Sequence, residues 1–305
     1  MGNLHIDTPL MTQRIEQSIR ESLGRLHRDG AIIAFSGGLD SSVTAVLTVR
    51  SLGKEHVRLV YMPDRDSNPI HKRHAIMLAE ELGCEFSTKN ITPVLRKLGT
   101  YKTLHLGYIP TRYLRKLATK FGREHLVTLE PKEYATARLS AQANSAVARS
   151  NAYMETKHRV RMTQIYQFAE VHNLMVVGAA NRTEWMTGNF CQWGIDHCAD
   201  VMPIVHLYRT QVEQLAEYLN VPEYIRKKPA DPDLMPTEDD KGKLLGGFDL
   251  VDEILLDMEL GVPLEQLNQS HDPSLVERVV FMNEYSKHMR ESPYHVTQGM
   301  CIKIR

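Results

Sequence analysis

The stretch AIIAFSGGLDSSVTAVLTVRSLG, residues 31–53, decides the fold class of this chain. AIIAF is a short continuous apolar run, typical of a strand that is covered on both faces. A turn with two glycines follows it, and the helical segment after the turn ends at Gly53. A strand that leads through such a turn into a helix is the repeating unit of parallel α/β sheets.

The same alternation extends along the chain. A helical pattern begins at Thr8, and apolar strand-like runs occupy 57–62, 84–91 and 173–178. Further helical patterns occupy 67–83, a segment starting near Asn181, 248–261 and 272–292. We therefore predict one α/β domain over residues 1–305, with a doubly wound parallel sheet and helices on both of its faces.

Two segments interrupt this alternation. Residues from about 92 to 150 are rich in Lys, Arg and Tyr, and we expect a helical insert there that serves as a lid or a dimer surface. The sequence pattern of residues 137–172 predicts one long helix. The segment at about 227–247 is polar and contains Gly and Pro, and an irregular stretch of that length is usually functional or disordered. We predict a mobile loop there.

Charge and composition narrow the classes of partner. Lys+Arg and Asp+Glu both total 37, whereas nucleic-acid-binding proteins usually carry a basic excess. The four cysteines are too few and too scattered for a disulfide framework. The N-terminal residues lack the apolar core of a signal peptide, and no apolar run is long enough to span a bilayer. We expect a cytoplasmic protein that binds neither membranes nor nucleic acids.

The strongest chemical signal is the run SGGLDSS at residues 36–42. Its glycines let the backbone approach a ligand, and helix N-terminal amides together with serine hydroxyls suit phosphate oxygens. Asp40 would repel a phosphate unless a divalent cation lay between them, and Mg²⁺ prefers carboxylate and phosphate oxygens. The alternative is an ordinary turn in which Asp40 caps the helix. The candidate nucleotide-binding residues are Ser36, Gly37, Gly38, Asp40, Ser41 and Ser42.

A second motif, GAANRTE at residues 178–184, follows another predicted strand. Doubly wound sheets bind ligands at the carboxyl ends of their strands. Glu184 is therefore a candidate metal ligand opposite Asp40. Taken alone, Glu184 would be a solvated residue in the first turn of a helix, where the helix dipole favours a negative charge.

Several blocks, in order along the chain, resemble the NAD synthase family. SGGLDSS does not fit the P-loop pattern and matches the signature of the ATP pyrophosphatases, the larger group to which that family belongs. The other matching blocks are MPDRDSNP at 62–69, KHRVRM at 157–162, GAANRTEW at 178–185, residues 193–219 and KKPADPDL at 227–234. The resemblance covers most of the chain outside about 92–150, and it implies an adenine nucleotide alpha-hydrolase-like fold.

The resemblance implies a ligase that activates a carboxylate with ATP. The carboxylate of deamido-NAD would attack the α-phosphate and release pyrophosphate, and ammonia would then displace AMP. Asp40 and Glu184 would hold Mg²⁺, and loops at Asp64–Asn68 and 227–247 would close over the intermediate. The resemblance also implies a homodimer, and we expect the long helix through Asn151–His172 to form its interface. The ammonia would be free or delivered by a separate glutaminase.

The resemblance also assigns further site residues. Met62 would lie beside the adenine, and Arg209, where the family usually has Lys, would contact ATP. The residues assigned to the acceptor substrate are Arg159, Gln192, Asp200, Lys287 and His288. Several positions depart from the family pattern, including Ala179 for Thr, Gln192 for Lys and Ala230 for Ser or Thr. Adenylation is therefore more firmly indicated than deamido-NAD as the acceptor.

Four alternatives stay open. The chain could adenylate a different carboxylate or a tRNA base, or it could bind a nucleotide without catalysis. Zero net charge weighs against tRNA, and the pair Asp40 and Glu184 weighs against mere nucleotide binding. The fourth alternative is a zinc site at Cys191, His197 and Cys198. These residues are close in sequence, but they lack the Cys-x-x-Cys spacing of a zinc site.

Overall fold

The computed structural model describes residues 2–126, 131–237, 242 and 245–291. In these residues four parallel strands form a sheet in the order β3-β2-β1-β4, with β1 at Gly30–Ala34, β2 at Val57–Tyr61, β3 at Glu85–Thr88 and β4 at Leu174–Val177. The strand order reverses at β1, because β2 and β3 lie on one side of it and β4 on the other. The predicted doubly wound parallel α/β fold is confirmed.

Helices surround this sheet. Their bounds are α1 Thr8–Arg25, α2 Leu39–Leu52, α3 Pro69–Leu82, α4 Thr92–Lys97, α5 Arg112–Leu126, α6 Pro131–Leu139, α7 Ala146–Val171, α8 Arg182–Thr187, α9 Arg209–Tyr218, α10 Glu223–Arg226, α11 Phe248–Glu259, α12 Leu264–Ser270, α13 Pro273–Tyr285 and α14 Lys287–Arg290. Short 3-10 helices lie at Lys54–His56, Thr100–Lys102 and Leu106–Tyr108. No helix in the described ranges combines the length and the apolarity needed to cross a bilayer.

The single long helix predicted over 137–172 is wrong, because the structure divides it into α6 and α7. α6 ends at Leu139, and Asn144, in a left-handed conformation with φ of 61°, lies in the non-helical stretch before α7 begins at Ala146. Ser145 then caps α7, since its side chain accepts a hydrogen bond from the amide of Ala148.

The central strand separates two apolar layers. Ala31 and Ile33 of β1 face the layer that contains α1 and α2, whereas Ile32 faces the layer that contains α7. All three side chains are fully buried, and burying an isoleucine of this kind stabilises a fold by about 1.5–3 kcal/mol. A third apolar cluster joins α11 to α13, which contact α8.

A buried charge network holds the loop after β2 in place. Lys157 of α7 donates to Asp64 Oδ2 at 2.8 Å, to Asp66 Oδ2 at 2.9 Å and to the carbonyl of Leu234 at 2.7 Å. Arg115 of α5 donates to Asp66 Oδ1 at 2.8 Å. Two buried cations thereby balance two buried carboxylates, as burial of charge requires. The network fixes the β2 loop, α5, α7 and the segment at Leu234 relative to one another.

Candidate active site

A cavity of about 750 Å³ opens at the carboxyl ends of β1, β2 and β4. The reversal of strand order lies there, and that is where doubly wound sheets bind their ligands. Gly37, Ser42 and the predicted acceptor residues are absent from its wall. The predicted residues that line it are Ser36, Gly38, Asp40, Ser41, Met62, Glu184 and Arg209.

Gly37 is required by the close approach of α3 to the turn. Its φ is 71°, in the left-handed region that glycine favours. A Cβ at this position would lie 2.8 Å from the carbonyl oxygen of His71 and 2.9 Å from the amide nitrogen of Ala75. The residue therefore shapes the turn without reaching the cavity.

The remaining turn residues organise the N-terminus of α2. Gly38 is the N-cap, and its carbonyl accepts hydrogen bonds from the hydroxyls of Ser41 at 3.1 Å and Ser42 at 2.7 Å. The hydroxyls of Ser36 and Ser41 are 2.9 Å apart. No side chain caps this helix, so its first amides and the hydroxyls of Ser36 and Ser41 suit an anion. The alternative that Asp40 caps the helix is wrong.

Asp40 is held by one residue from each of two other elements. Its Oδ1 accepts a hydrogen bond from Asn181 Nδ2 at 2.9 Å, and its Oδ2 accepts one from Arg209 Nη1 at 2.8 Å. Asn181 also caps α8, because its Oδ1 accepts the amide of Glu184 at 2.9 Å. One asparagine thus connects the two carboxylate residues that the sequence singled out.

Arg209 is the cationic side chain that contacts Asp40. It is 6% exposed, and its Nε donates to Glu213 Oε1 at 3.0 Å. Burial lowers its pKa, but the charges of Asp40, Glu213 and Glu184 raise it more, so the net shift is upward. The influence of Glu184 indicates that both candidate metal ligands lie within electrostatic reach of this guanidinium.

The donor set fits a magnesium ion. Asp40 and Glu184 both line the cavity and offer carboxylate oxygens, the ligands that Mg²⁺ prefers. The guanidinium of Arg209 already supplies positive charge at Asp40 Oδ2. Asp40 and Glu184 are therefore the residues that would hold the ion, and metal binding itself stays a prediction.

Met62 forms part of the cavity wall. The residue is 4% exposed, and its carbonyl accepts a hydrogen bond from Arg161 Nε at 3.0 Å. The adenine contact stays a prediction for Met62. Arg161 and Leu234 line the same wall and were not identified from the sequence.

Three of the predicted acceptor residues lie together outside the cavity wall. Arg159 Nη2 donates to the carbonyl of Gln192 at 3.1 Å, and Gln192 Nε2 donates to the carbonyl of His288 at 3.5 Å. Lys287 precedes His288 in α14. Cys191, next to Gln192, lines the cavity, so this group borders it. Their role as substrate contacts stays a prediction.

Asp200 has partners of its own at the outer edge of the sheet. Its Oδ2 accepts the amide of Val176 in β4 at 2.8 Å, and its Oδ1 accepts the hydroxyl of Tyr166 at 2.9 Å. These bonds satisfy part of the open edge of β4. A different aspartate, Asp196, lines the cavity and accepts the amide of Ala179 at 3.1 Å. The resemblance assigned the acceptor contact to Asp200 and not to Asp196, and that contact stays a prediction.

A buried polar group borders the cavity near α3. His71 Nε2 lies 3.3 Å from Asp231 Oδ2 and 3.7 Å from Asp233 Oδ1, and its Nδ1 contacts Lys228 Nζ. Burial lowers the pKa of Lys228 to about 8, although Asp231 and Asp233 oppose this shift. Because an ammonium group already contacts the imidazole, we interpret the group as an ion-pair tie between α3 and the segment at 228–233.

Within the described ranges, this is also the one set of three or more His, Cys, Asp or Glu side chains close enough to share a metal ion. Cys191, His197 and Cys198 do not form such a set. The zinc site considered from their proximity in sequence therefore has no support in the structure.

Comparison with known proteins gives close relatives over nearly the whole chain. The NAD synthase family model matches residues 11–105 and 112–293. The NH(3)-dependent NAD(+) synthetase of Coprothermobacter proteolyticus is 37% identical over 285 residues, which cover 93% of this chain and 96% of the relative. The enzyme of that name from Thermotoga maritima is 36% identical over 93% of this chain and 98% of its own length.

Solved structures share the fold at lower identity. An NMN synthetase from Francisella tularensis superposes with a TM-score of 0.70 at 23% identity, covering 96% of this chain and all of that chain. The NH3-dependent NAD synthetase from Campylobacter jejuni gives a TM-score of 0.68 at 22% identity, with the same coverage. With the family model matching most of its length, this chain belongs to the NAD synthase family.

Proposed function

We propose that this protein makes NAD from deamido-NAD, ATP and ammonia, with AMP and pyrophosphate as the other products. The observation that carries the proposal is the pair Asp40 and Glu184, which line one cavity beside the phosphate-binding turn. A carboxylate pair in that position suits a complex of Mg²⁺ with a nucleotide. The relatives that are 36–37% identical to this chain are named ammonia-dependent NAD synthetases, which supports the acceptor and the nitrogen donor.

The first half of the reaction is adenylation. The turn at 36–42 and the N-terminus of α2 bind the phosphates of ATP. Asp40 and Glu184 would hold Mg²⁺, which would neutralise phosphate charge and make the α-phosphorus more open to attack. An oxygen of the acceptor carboxylate attacks that phosphorus, the bond between the α-phosphorus and its bridging oxygen breaks, and the electron pair leaves with pyrophosphate.

The second half is amide formation. Ammonia adds to the acyl carbon of the adenylate and loses a proton, and AMP leaves with the former carboxylate oxygen. The loop predicted at 227–247, of which residues 238–241 and 243–244 lie outside the described residues, would keep water away from the adenylate. The nitrogen donor is free ammonia, in keeping with the names of the relatives, and delivery by a separate glutaminase is compatible with the same chemistry. The reaction takes place in the cytoplasm.

The working form is a homodimer that forms through α5. On this helix Tyr113, Leu114, Leu117 and Phe121 are 69%, 46%, 47% and 60% exposed. Their spacing gives one apolar stripe, and such a stripe on a surface helix marks a contact surface. The interface expected at Asn151–His172 is less suitable, because α7 buries much of its apolar surface inside its own subunit.

A mononucleotide acceptor is the second candidate. The solved structure from Francisella tularensis is named an NMN synthetase, and it shares the fold over 96% of this chain. The predicted acceptor residues Arg159, Gln192 and His288 also lie beside the cavity instead of in its wall. A smaller acceptor that stays within the cavity would not need those contacts.

The test supplies ATP, Mg²⁺ and ammonium together with deamido-NAD, its mononucleotide counterpart or unrelated carboxylates. We expect deamido-NAD to yield NAD, AMP and pyrophosphate in equal amounts. Turnover of the mononucleotide alone would select the second candidate. Release of ADP in place of AMP, or no turnover of either nucleotide, would overturn both.

The role of Asp40 is tested by Asp40→Asn, which keeps the shape of the side chain and removes its charge. We expect turnover to fall by roughly 10²–10³-fold or more, with the circular dichroism spectrum unchanged. Full activity of this variant would contradict the proposed role of Asp40.

A further inference from the structure

We propose that Arg209 and Mg²⁺ compete for Asp40, so that Arg209 has to change partner when the metal–nucleotide complex binds. The inference rests on the proposed function, because that function brings Mg²⁺ to Asp40. It adds a step that precedes the chemistry: an internal cation leaves the carboxylate before the catalytic cation is in place.

Both oxygens of Asp40 already have partners. Asn181 donates to Oδ1 at 2.9 Å and Arg209 donates to Oδ2 at 2.8 Å. The neutral Asn181 can remain beside a metal ion, since Oδ1 keeps a second lone pair. The guanidinium can remain less easily, because it is a full positive charge next to a divalent cation on the same carboxylate.

Arg209 has other partners that would hold it in place when its contact with Asp40 is broken. Its backbone amide is fixed by the hydroxyl of Thr183 at 2.8 Å, and its Nε is bound to Glu213 Oε1 at 3.0 Å. Its guanidinium carbon lies 5.2 Å from the centre of the Phe248 ring. Breaking the bond between Nη1 and Asp40 therefore leaves the guanidinium one ionic and one aromatic partner.

Once released from Asp40, Nη1 of Arg209 lies beside the part of the cavity where we expect the phosphates of ATP. The residue lines the main cavity and also a smaller adjoining one of about 480 Å³, whose wall includes Arg226 and Lys228. A guanidinium can hold two partners through its planar fork, so Nη1 can turn to a phosphate oxygen while Nε keeps Glu213. The lysine that the family usually has at this position has a single nitrogen and lacks that fork.

The experiment measures Mn²⁺ binding, by electron paramagnetic resonance, to the full chain without nucleotide or acceptor. We expect Arg209→Met to bind Mn²⁺ roughly tenfold more tightly than the wild type, because one charge-assisted hydrogen bond no longer competes. With Mg²⁺ and a non-hydrolysable ATP analogue, still without acceptor, the same variant should show a raised Kd for the nucleotide. A merely structural role for Arg209 would weaken both kinds of binding.

The matched control is Arg226→Met, which removes the same charge from the wall of the smaller cavity. We expect its Mn²⁺ affinity to stay within about twofold of the wild type. In an Asp40→Asn background, Arg209→Met should give no gain. Equal gains in Arg209→Met and Arg226→Met would show a general charge effect and overturn the proposal.

A second measurement protects the test against misfolding of the variant. In a crystal of the wild type with Mg²⁺ and a non-hydrolysable ATP analogue, the 2.8 Å contact between Asp40 Oδ2 and Arg209 Nη1 should be broken. An intact contact with the metal on Oδ1 would overturn the proposal. Failure of deamido-NAD as a substrate would leave it standing, because neither measurement uses an acceptor.

Discussion

At the scale of single residues, the site depends on a short series of contacts from Glu184 through Asn181 and Asp40 to Arg209. Asn181 contributes twice, since its side chain caps α8 and also binds Asp40. The loss of this one amide would remove a helix cap, worth about 1 kcal/mol, together with one of the two bonds that orient Asp40. Asn181 therefore serves both the helix cap and the position of Asp40.

Asp252 gives a second residue-scale feature with a measurable consequence. It is fully buried in α11 and accepts hydrogen bonds from the hydroxyl of Thr183 and, at 2.9 Å, from the amide of Thr210. Burial raises its pKa from 3.8 to about 6, although these hydrogen bonds oppose the shift. Between these two values the unfolded chain has lost the proton that the folded protein keeps, so this residue's contribution to stability falls as pH rises.

We predict that Asp252→Asn removes this pH dependence. Relative to the wild type, the free energy of unfolding of the variant should rise by roughly 3 kcal/mol between pH 3 and pH 7. Urea unfolding at several pH values measures it. Asp249→Asn, an exposed change on the same helix, is the control and should follow the wild type. Parallel curves for Asp252→Asn and the wild type would contradict the prediction.

At the scale of elements, two strand–turn–helix units bring the site together. The turn after β1 supplies Asp40 and the turn after β4 supplies Glu184, and the parallel pairing of β1 with β4 places both turns at one edge. This much could be predicted from the sequence, because each unit is encoded locally by an apolar run followed by glycine and polar residues. The sequence blocks that resemble the NAD synthase family then indicated which reaction to expect at this edge of the sheet.

Contacts between distant elements could not be predicted in this way. Asp40 and Arg209 are 169 positions apart, and the long-range pairs Lys157 with Asp66 and His71 with Asp231 likewise depend on tertiary packing. The break between α6 and α7 was missed for a different reason. The segment around it is rich in alanine, which favours a helix and masks the non-helical connection that contains the left-handed Asn144.

The exposed stripe of α5 predicts how two copies associate. We expect the wild type to sediment as a dimer, and Leu117→Glu with Phe121→Glu to sediment as a monomer with its helical content retained. The charges would lie in the apolar contact, where they are costly to bury. Val171→Glu changes another exposed apolar residue, 76% exposed at the end of α7, and should leave the dimer intact. A monomeric wild type would contradict the proposal.

At the scale of the whole molecule, three apolar clusters of the described residues pack the sheet and the helices that surround the cavity. Two cover the faces of the sheet, and the third joins the C-terminal helices to α8. The cavity lies where all three contribute wall residues, among them Phe35, Met154 and Met282. The buried network around Lys157 anchors one side of that wall. The same network holds the loop at Asp64–Asn68 against α7.

The central claim is that an acceptor carboxylate attacks the α-phosphorus of ATP in this cavity. Deamido-NAD labelled with ¹⁸O in its carboxylate tests it directly in a reaction with ATP, Mg²⁺ and ammonium. We predict that one labelled oxygen per turnover appears in AMP, detected by mass spectrometry, because that oxygen becomes the bridge of the adenylate and leaves with AMP. Label found only in phosphate, or AMP without label, would contradict this mechanism.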